Sequence, residues 1–187
     1  MNSIEGTKGY NAALPKSVFQ LLKDQISVTG ECFSSSCNAT CPEFYTNNYD
    51  IERFFGSSGN FFDSNLTSGS YEANPPFIEE LEYLMYQKMD QFLTTAEETD
   101  QPLSFFITIP EWSDSHPWIC LISSKYLRYH CILEKGQHSY LKGNPHEKPA
   151  RLSKVTINTG VFLLQSTMGM LEWPGQRLFE LLPAAFA

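Results

Sequence analysis

The chain has 187 residues, 42% of them hydrophobic, with 14 Phe and 9 Tyr, enough apolar material for one folded domain and not a disordered composition. A net charge of −8 argues against broad electrostatic capture of nucleic acid by this chain acting alone. No run of about 18 apolar residues is available to span a membrane, and Met1 to Tyr10 lacks the apolar core of a secretory signal, so a nuclear or cytoplasmic protein is expected.

The five cysteines, Cys32, Cys37, Cys41, Cys120 and Cys131, are odd in number, and without a signal peptide they read as reduced thiols. The spacing of Cys32, Cys37 and Cys41 matches no common zinc module, even with His130 or His138 added, so no metal is expected. The glycosylation patterns at Asn38 and Asn65 carry no meaning without secretion.

In chain order, residues 1–12 read as a flexible lead to a single domain covering 1–187. Leu14 to Ile26 predicts a helix with Pro15 near its first turn, and Val18, Leu21, Leu22 and Ile26 form its core face. Val28 to Phe33 predicts a short strand running into Ser34, Ser35 and Ser36. In an open α/β sheet, ligands dock beyond the carboxyl ends of strands. Phe33, Ser34 and Ser35 are therefore candidate cofactor contacts, although no Gly-x-Gly-x-x-Gly is present and a Ser run also suits a surface loop. Pro42 to Asn65 is aromatic and turn-rich. Because Arg53 is the only cation at hand, core and pocket wall are favoured here over a base-stacking platform.

The most informative stretch is Asn74-Pro75-Pro76-Phe77, which follows Ser68 to Ala73 and precedes a helical pattern. The Asn74 side-chain oxygen is one acceptor. The Pro75 carbonyl is a second, because Pro76 has no N–H and disfavours helix at Pro75. Two acceptors converging on an exocyclic –NH2 fix both hydrogens and aim the nitrogen lone pair outward, while Phe77 stacks on the ring. That arrangement suits methyl transfer to a planar amine, where positioning carries most of the rate. The same tetrapeptide also suits an ordinary turn.

Ile78 to Leu93 predicts a helix, with Ile78, Leu81, Met85, Met89 and Phe92 recurring at three and four. Glu79, Glu80 and Glu82 complement its dipole, and Glu79 is also a candidate contact to a ribose or base edge. Thr94 to Pro102 reads as an acidic linker, and Leu103 to Ile109 as a buried central strand. Pro110 to Pro117 follows at that strand's carboxyl end. Trp112 there reads equally as pocket wall or structural residue. A short helix is expected at Ser124 to Tyr129 and strands at His130 to Leu133 and Lys154 to Leu164. Between them, Gln137 to Arg151 is polar and basic, carrying His138, Lys142, His146, Lys148 and Arg151; a helix is expected from Glu172 to Phe186.

Four blocks in order carry a family resemblance: Glu31 to Ser35, Phe55 to Gly59, Ser68 to Leu81, and Pro102 to Trp112. From about Leu14 to Leu182 the chain resembles the mRNA cap-specific adenosine N6-methyltransferase family, the WW-domain factors that interact with the phosphorylated polymerase tail. The resemblance implies a Rossmann-like class I S-adenosylmethionine-dependent methyltransferase core, an α/β fold with a mixed, mostly parallel sheet flanked by helices. It implies S-adenosyl-L-methionine as cofactor, bound by Phe33, Ser34, Ser35 and Asn74. Methyl transfer would fall to Asn74, Pro75, Pro76 and Phe77, with Phe77, Glu79, Glu111 and Trp112 against the substrate. The implied partner is the capped 5′ end of mRNA.

Family members also carry a WW module and a helical domain, whose basic residues help hold the cap and the RNA. Neither is expected within this acidic chain, so a second chain or domain would supply that basic surface. The alternative reading is a non-catalytic domain that keeps the adenosine or S-adenosylmethionine pocket and acts as a partner subunit.

Overall fold

The computed structural model describes residues 12–142 and 151–187, so His146 and Lys148 lie outside the described residues. The chain opens with β1 (Ala12–Ala13) and α1 (Lys16–Ile26). Pro15 caps α1, and Val18, Phe19, Leu22 and Ile26 are its buried stripe. The helix stops at Ser27, whose left-handed backbone (φ 52°) lets its N–H donate to Lys23 and the Val28 N–H to Leu22. The expected strand from Val28 to Phe33 contracts to β2 (Gly30–Glu31), followed by β3 (Glu43–Phe44), α2 (Tyr49–Glu52) and 3-10 turns at Arg53–Phe55 and Phe61–Asp63.

Then come β4 (Gly69–Ala73) and α3 (Glu79–Glu98). This helix runs past the predicted end at Leu93, because Leu93 and Ala96 prolong the buried stripe of Met85, Met89 and Phe92. Glu97 near its end accepts from the Thr167 N–H (2.8 Å) and hydroxyl (2.5 Å). The expected linker therefore begins only at Thr99.

After β5 (Leu103–Pro110), a helix missed in the sequence, α4 (His116–Ser123), is capped by the Ser115 hydroxyl, with Pro117 in its first turn. The expected helix at Ser124 to Tyr129 is instead a turn leading into β6 (Leu127–Leu133). β7 (Ser139–Lys142) and β8 (Arg151–Lys154) follow. The expected strand from Lys154 to Leu164 is two, since β8 ends at Lys154 and β9 (Thr159–Gln165) begins afresh. A second helix missed in the sequence, α5 (Thr167–Glu172), precedes the last expected one, Glu172 to Phe186, which begins later, as α6 (Gln176–Phe186) after Pro174-Gly175.

Six strands form the main sheet, in the order β3-β2-β4-β5-β9-β6, and β1, β7 and β8 form a small antiparallel one. β3, β2, β4 and β5 pair in parallel, while β9 runs antiparallel between β5 and β6. The fold is thus the mostly parallel, Rossmann-like α/β class expected from the sequence, with β5 central.

All eight residues of β5 are buried, and their alternation separates two cores. Phe105, Ile107 and Ile109 join Met85, Met89, Phe92 and Trp118 under α3 and α4. Phe106 faces the other way, into Val18, Leu22, Val161, Leu178 and Leu182 under α1 and α6. Ser166 pins α5 to the start of β5: its hydroxyl accepts from Leu103 N–H and donates to the Gln101 carbonyl. This contact leaves no room at Gly169, where an added Cβ would lie 2.4 Å from the Leu103 carbonyl oxygen, a backbone atom that cannot swing aside. Gly169→Ala should therefore lower the unfolding free energy by about 1–3 kcal/mol, the usual scale of overpacking. Urea denaturation checks this, and an unchanged midpoint would contradict the close approach.

Candidate functional site

Parallel pairing sends the chain out of β2, β3 and β4 at the same sheet edge. There the three exits enclose a cavity of about 480 Å³. Phe33, Ser34 and Ser35 line it from the loop after β2, and Asn74, Pro75, Pro76 and Phe77 from the turn after β4. Both segments singled out in the sequence thus face one cavity, at the strand ends where open sheets bind ligands.

The β2 loop is held in shape by its own side chains. Asn38 Oδ1 accepts from the Ser35 N–H (2.8 Å) and hydroxyl (2.7 Å), and the Ser36 N–H donates to Glu52 (2.9 Å). Glu31, buried at the end of β2, accepts from the N–H groups of Thr40 (2.5 Å) and Cys41 (2.6 Å), which folds the loop back over the strand. Burial raises the Glu31 carboxyl above its ordinary range in spite of those two bonds.

The wall beyond is aromatic. Phe33 lies 5.2 Å from Phe61 and 6.0 Å from Phe62, and Phe61 meets Phe92 edge-on at 6.0 Å. The expectation that the aromatics of Pro42 to Asn65 form core and pocket wall holds for Phe44, Tyr45, Phe61 and Phe62. It does not hold for Phe54 and Phe55, which are 75% and 64% exposed.

Asn74 emerges beside Thr108 of β5, one step beyond the Ala73–Ile107 pair. The buried Thr108 hydroxyl donates to Asn74 Oδ1 at 3.2 Å, which orients the amide. The turn closes through Pro76, whose carbonyl accepts from Ile78 N–H at 2.7 Å.

The remaining sequence-predicted residues lie elsewhere. Glu79 and Trp112 line a separate open groove of about 430 Å³ with Asp114 and Ser115. Glu79 accepts from the His116 N–H (3.1 Å) at the start of α4, a tie between helices that sequence periodicity does not reveal. Glu111 accepts from Asn158 Nδ2 at 2.6 Å, bracing the ends of β5 and β9. Among the described residues no group of three or more His, Cys, Asp or Glu is arranged to hold a metal. No helix is long and apolar enough to cross a membrane.

Two buried acids depart from what the sequence suggests: Glu72 has no expected role there, and Glu82 is expected only to complement the helix dipole. Glu72, one step along β4 from Ala73, sits opposite Glu31 in register and lines the cavity. It is 2% exposed; burial chiefly, and then Glu31, hold its carboxyl well above the ordinary range. A polar residue on a strand otherwise buried was the available signal. Glu82, on the buried stripe of α3, has both oxygens shut from solvent without a hydrogen-bond partner among the described residues. Burial first, and Glu79 second, push it up to about 7 from 4.5.

Folding therefore favours the protonated form of Glu82. Its contribution is fully present below 4.5 and is lost as pH rises through about 7. Glu82→Gln should raise the stability at pH 8 by roughly 1–3 kcal/mol and flatten the fall between pH 5 and 8. Parallel pH profiles for parent and variant that never converge at low pH would contradict this.

The family model described as Phosphorylated CTD interacting factor 1 WW domain matches residues 2–143. The Homo sapiens protein named mRNA (2′-O-methyladenosine-N(6)-)-methyltransferase is 36% identical over 188 residues, covering 97% of this chain. The Mus musculus protein of the same name is 36% identical over 187 residues, covering 96%. This chain spans about a quarter of those relatives, 26% of each. A crystal structure described as a methyltransferase complexed with SAH covers 67% of this chain and 31% of its own, at 12% identity and a TM-score of 0.33, too slight a likeness to carry an argument. On the match over most of its length, the chain belongs to the Phosphorylated CTD interacting factor 1 WW domain family.

Proposed function

We propose that this chain is the methyltransferase domain of an S-adenosylmethionine-dependent RNA (adenine-N6) methyltransferase, acting on the adenosine beside the mRNA cap. The observation that carries the reading is the shared cavity between Phe33–Ser35 and Asn74–Phe77. The name of the human and mouse relatives supports the chemistry and the acceptor.

The donor's fit is supported by the acidic, aromatic-walled cavity, where Phe33 and Phe61 suit a purine and the Glu72 carboxyl suits a positively charged ligand. The donor supplies a methyl group on a sulfonium. Phe33, Ser34 and Ser35 would hold it from the β2 side. Asn74 Oδ1, steadied by Thr108, accepts one hydrogen of the target amine, and the Pro75 carbonyl accepts the other. Phe77 stacks on the base. With both hydrogens fixed, the nitrogen lone pair points along a single line, and the amine proton becomes acidic only as the new bond forms. The rate enhancement then rests on orientation. Glu79, Glu111 and Trp112 act beyond the reacting atoms, on the flanking nucleotides, and a basic surface supplied by another domain or chain completes the hold on the capped RNA.

One observation favours a second reading. A net charge of −8 is poorly suited to an RNA substrate, and fits a partner subunit that binds donor without turnover.

Calorimetry with S-adenosylmethionine and a methyl-transfer assay on capped and uncapped RNA, each with and without a supplied basic domain of a relative, separate the two. Transfer to capped RNA is expected. Donor binding with no transfer under any condition supports the second reading, and the absence of both overturns the first as well. Asn74→Ala should lower the transfer rate about a hundredfold or more, whereas Asn74→Asp, which keeps an acceptor, should retain more activity. Phe77→Ala should lose about 1–3 kcal/mol of acceptor binding while donor affinity holds. Parental rates in both Asn74 variants would reduce the tetrapeptide to a turn.

A further inference from the structure

Glu31 and Glu72 stand side by side on parallel strands, roughly 5 Å apart at the backbone, at the floor of the cavity. Their situations differ. Glu31 Oε1 is engaged by two backbone N–H groups. Glu72 Oε1 is shut from solvent and has no hydrogen-bond partner among the described residues, in a residue 2% exposed.

A buried carboxyl oxygen without a donor is costly, and the cost falls when a cation carrying N–H groups arrives. Among the described residues no such cation stands there. The ionisable groups around Glu72 among the described residues are Glu31 on β2, Cys32 just after it, Cys41 in the loop beyond, and Tyr140 on β7, all acidic or neutral. The buried stripes of α1 and α6 that pack on this side of the sheet are apolar, and Lys23 reaches the group only at Cys41.

The position of Glu72 relative to Asn74 selects the ligand group. Two residues apart on a strand course, they project to the same face about 6–7 Å apart. If the donor's methyl faces Asn74, the ammonium of its amino-acid end lies three carbons behind the sulfur, a separation that spans this gap. Resting on the donor reading above, we propose that Glu72 is the anchor for the ammonium group of S-adenosylmethionine, and that seating this group takes a proton off the Glu72 carboxyl. Burial, and then Glu31, raise that carboxyl well above its ordinary range, which favours its protonated form in the free protein. Donor binding therefore releases a proton, and donor affinity rises with pH until the free carboxyl is itself ionised.

The test uses S-adenosylhomocysteine, which keeps the ammonium, and 5′-methylthioadenosine, which lacks the whole amino-acid end. Titration calorimetry of the full chain in two buffers of different ionisation enthalpy counts the protons released, and on the parent this needs no variant. Net proton release is expected with S-adenosylhomocysteine and none with methylthioadenosine. Glu72→Gln, nearly isosteric, should abolish that release and weaken S-adenosylhomocysteine about tenfold or more. It should leave methylthioadenosine affinity and the melting temperature at or above the parental values. Equal weakening of both nucleosides, or unchanged affinity without proton release in the parent, overturns the anchor. Heat from Mg2+ alone that disappears in Glu72→Gln would overturn it too, by assigning the carboxylates to a metal. If the parent binds neither nucleoside, the donor reading itself falls, an outcome distinct from the others.

Discussion

The parallel pairing of β2 and β4, continued into β5, is the constraint on which the site depends. Parallel strands deliver their exits to one edge, so the loop after Glu31 and the turn after Ala73 face each other without any loop reaching across the sheet. β5 makes this pairing rigid. It is buried along its whole length, carries a core on each face, and is clasped on its other side by antiparallel β9. Thr108, one step past Ile107 on that strand, reaches Asn74 with its hydroxyl. The central strand of the fold thereby orients the residue proposed to hold the amine.

The polar groups near this edge oppose stability. Glu31, Glu72 and Glu82 are all buried, and desolvation raises each of their carboxyls. Of the three, Glu31 is compensated within the chain, by the loop it folds back. Glu72 and Glu82 keep oxygens without partners among the described residues. Buried polar atoms of this kind are uncommon in a settled core and concentrate where a ligand or a change of state completes them. For Glu72 the cavity supplies the place for such a ligand. Glu82 lies in the first turn of α3, just after the candidate motif, and its cost to folding grows as pH rises through about 7.

Periodicity made much of the fold legible. The stripe of Val18, Leu22 and Ile26 and that of Met85, Met89 and Phe92 are both core faces, and the apolar run from Leu103 is the central strand. The errors have local causes. Ala96 extended α3 through residues whose polarity read as linker, and the Ser115 cap with Pro117 started a helix where the strand end suggested only a loop. Pro174-Gly175 delayed the start of the last helix to Gln176, and the Ser166 cap started α5 where no helix was expected. Asn74–Phe77 and Phe33–Ser35 were legible as lining of one cavity because both follow parallel strands, whose ends gather ligand-facing segments. Glu72 was not, because its partner Glu31 lies far away in sequence and meets it only through register. Glu79 and Glu111, expected against a substrate, also accept from the His116 backbone and from Asn158. One sequence gives no sight of such tertiary ties.

The central claim is that one small molecule is shared by the loop after β2 and the turn after β4. A crystal structure of the chain with S-adenosylhomocysteine tests it most directly. The account predicts ligand density in the cavity between Phe33, Glu72 and Asn74, with the sulfur facing Asn74 and the amino group against Glu72. Density on the groove by Glu79 and Trp112, or the nucleoside seated with its sulfur turned away from Asn74, would contradict it.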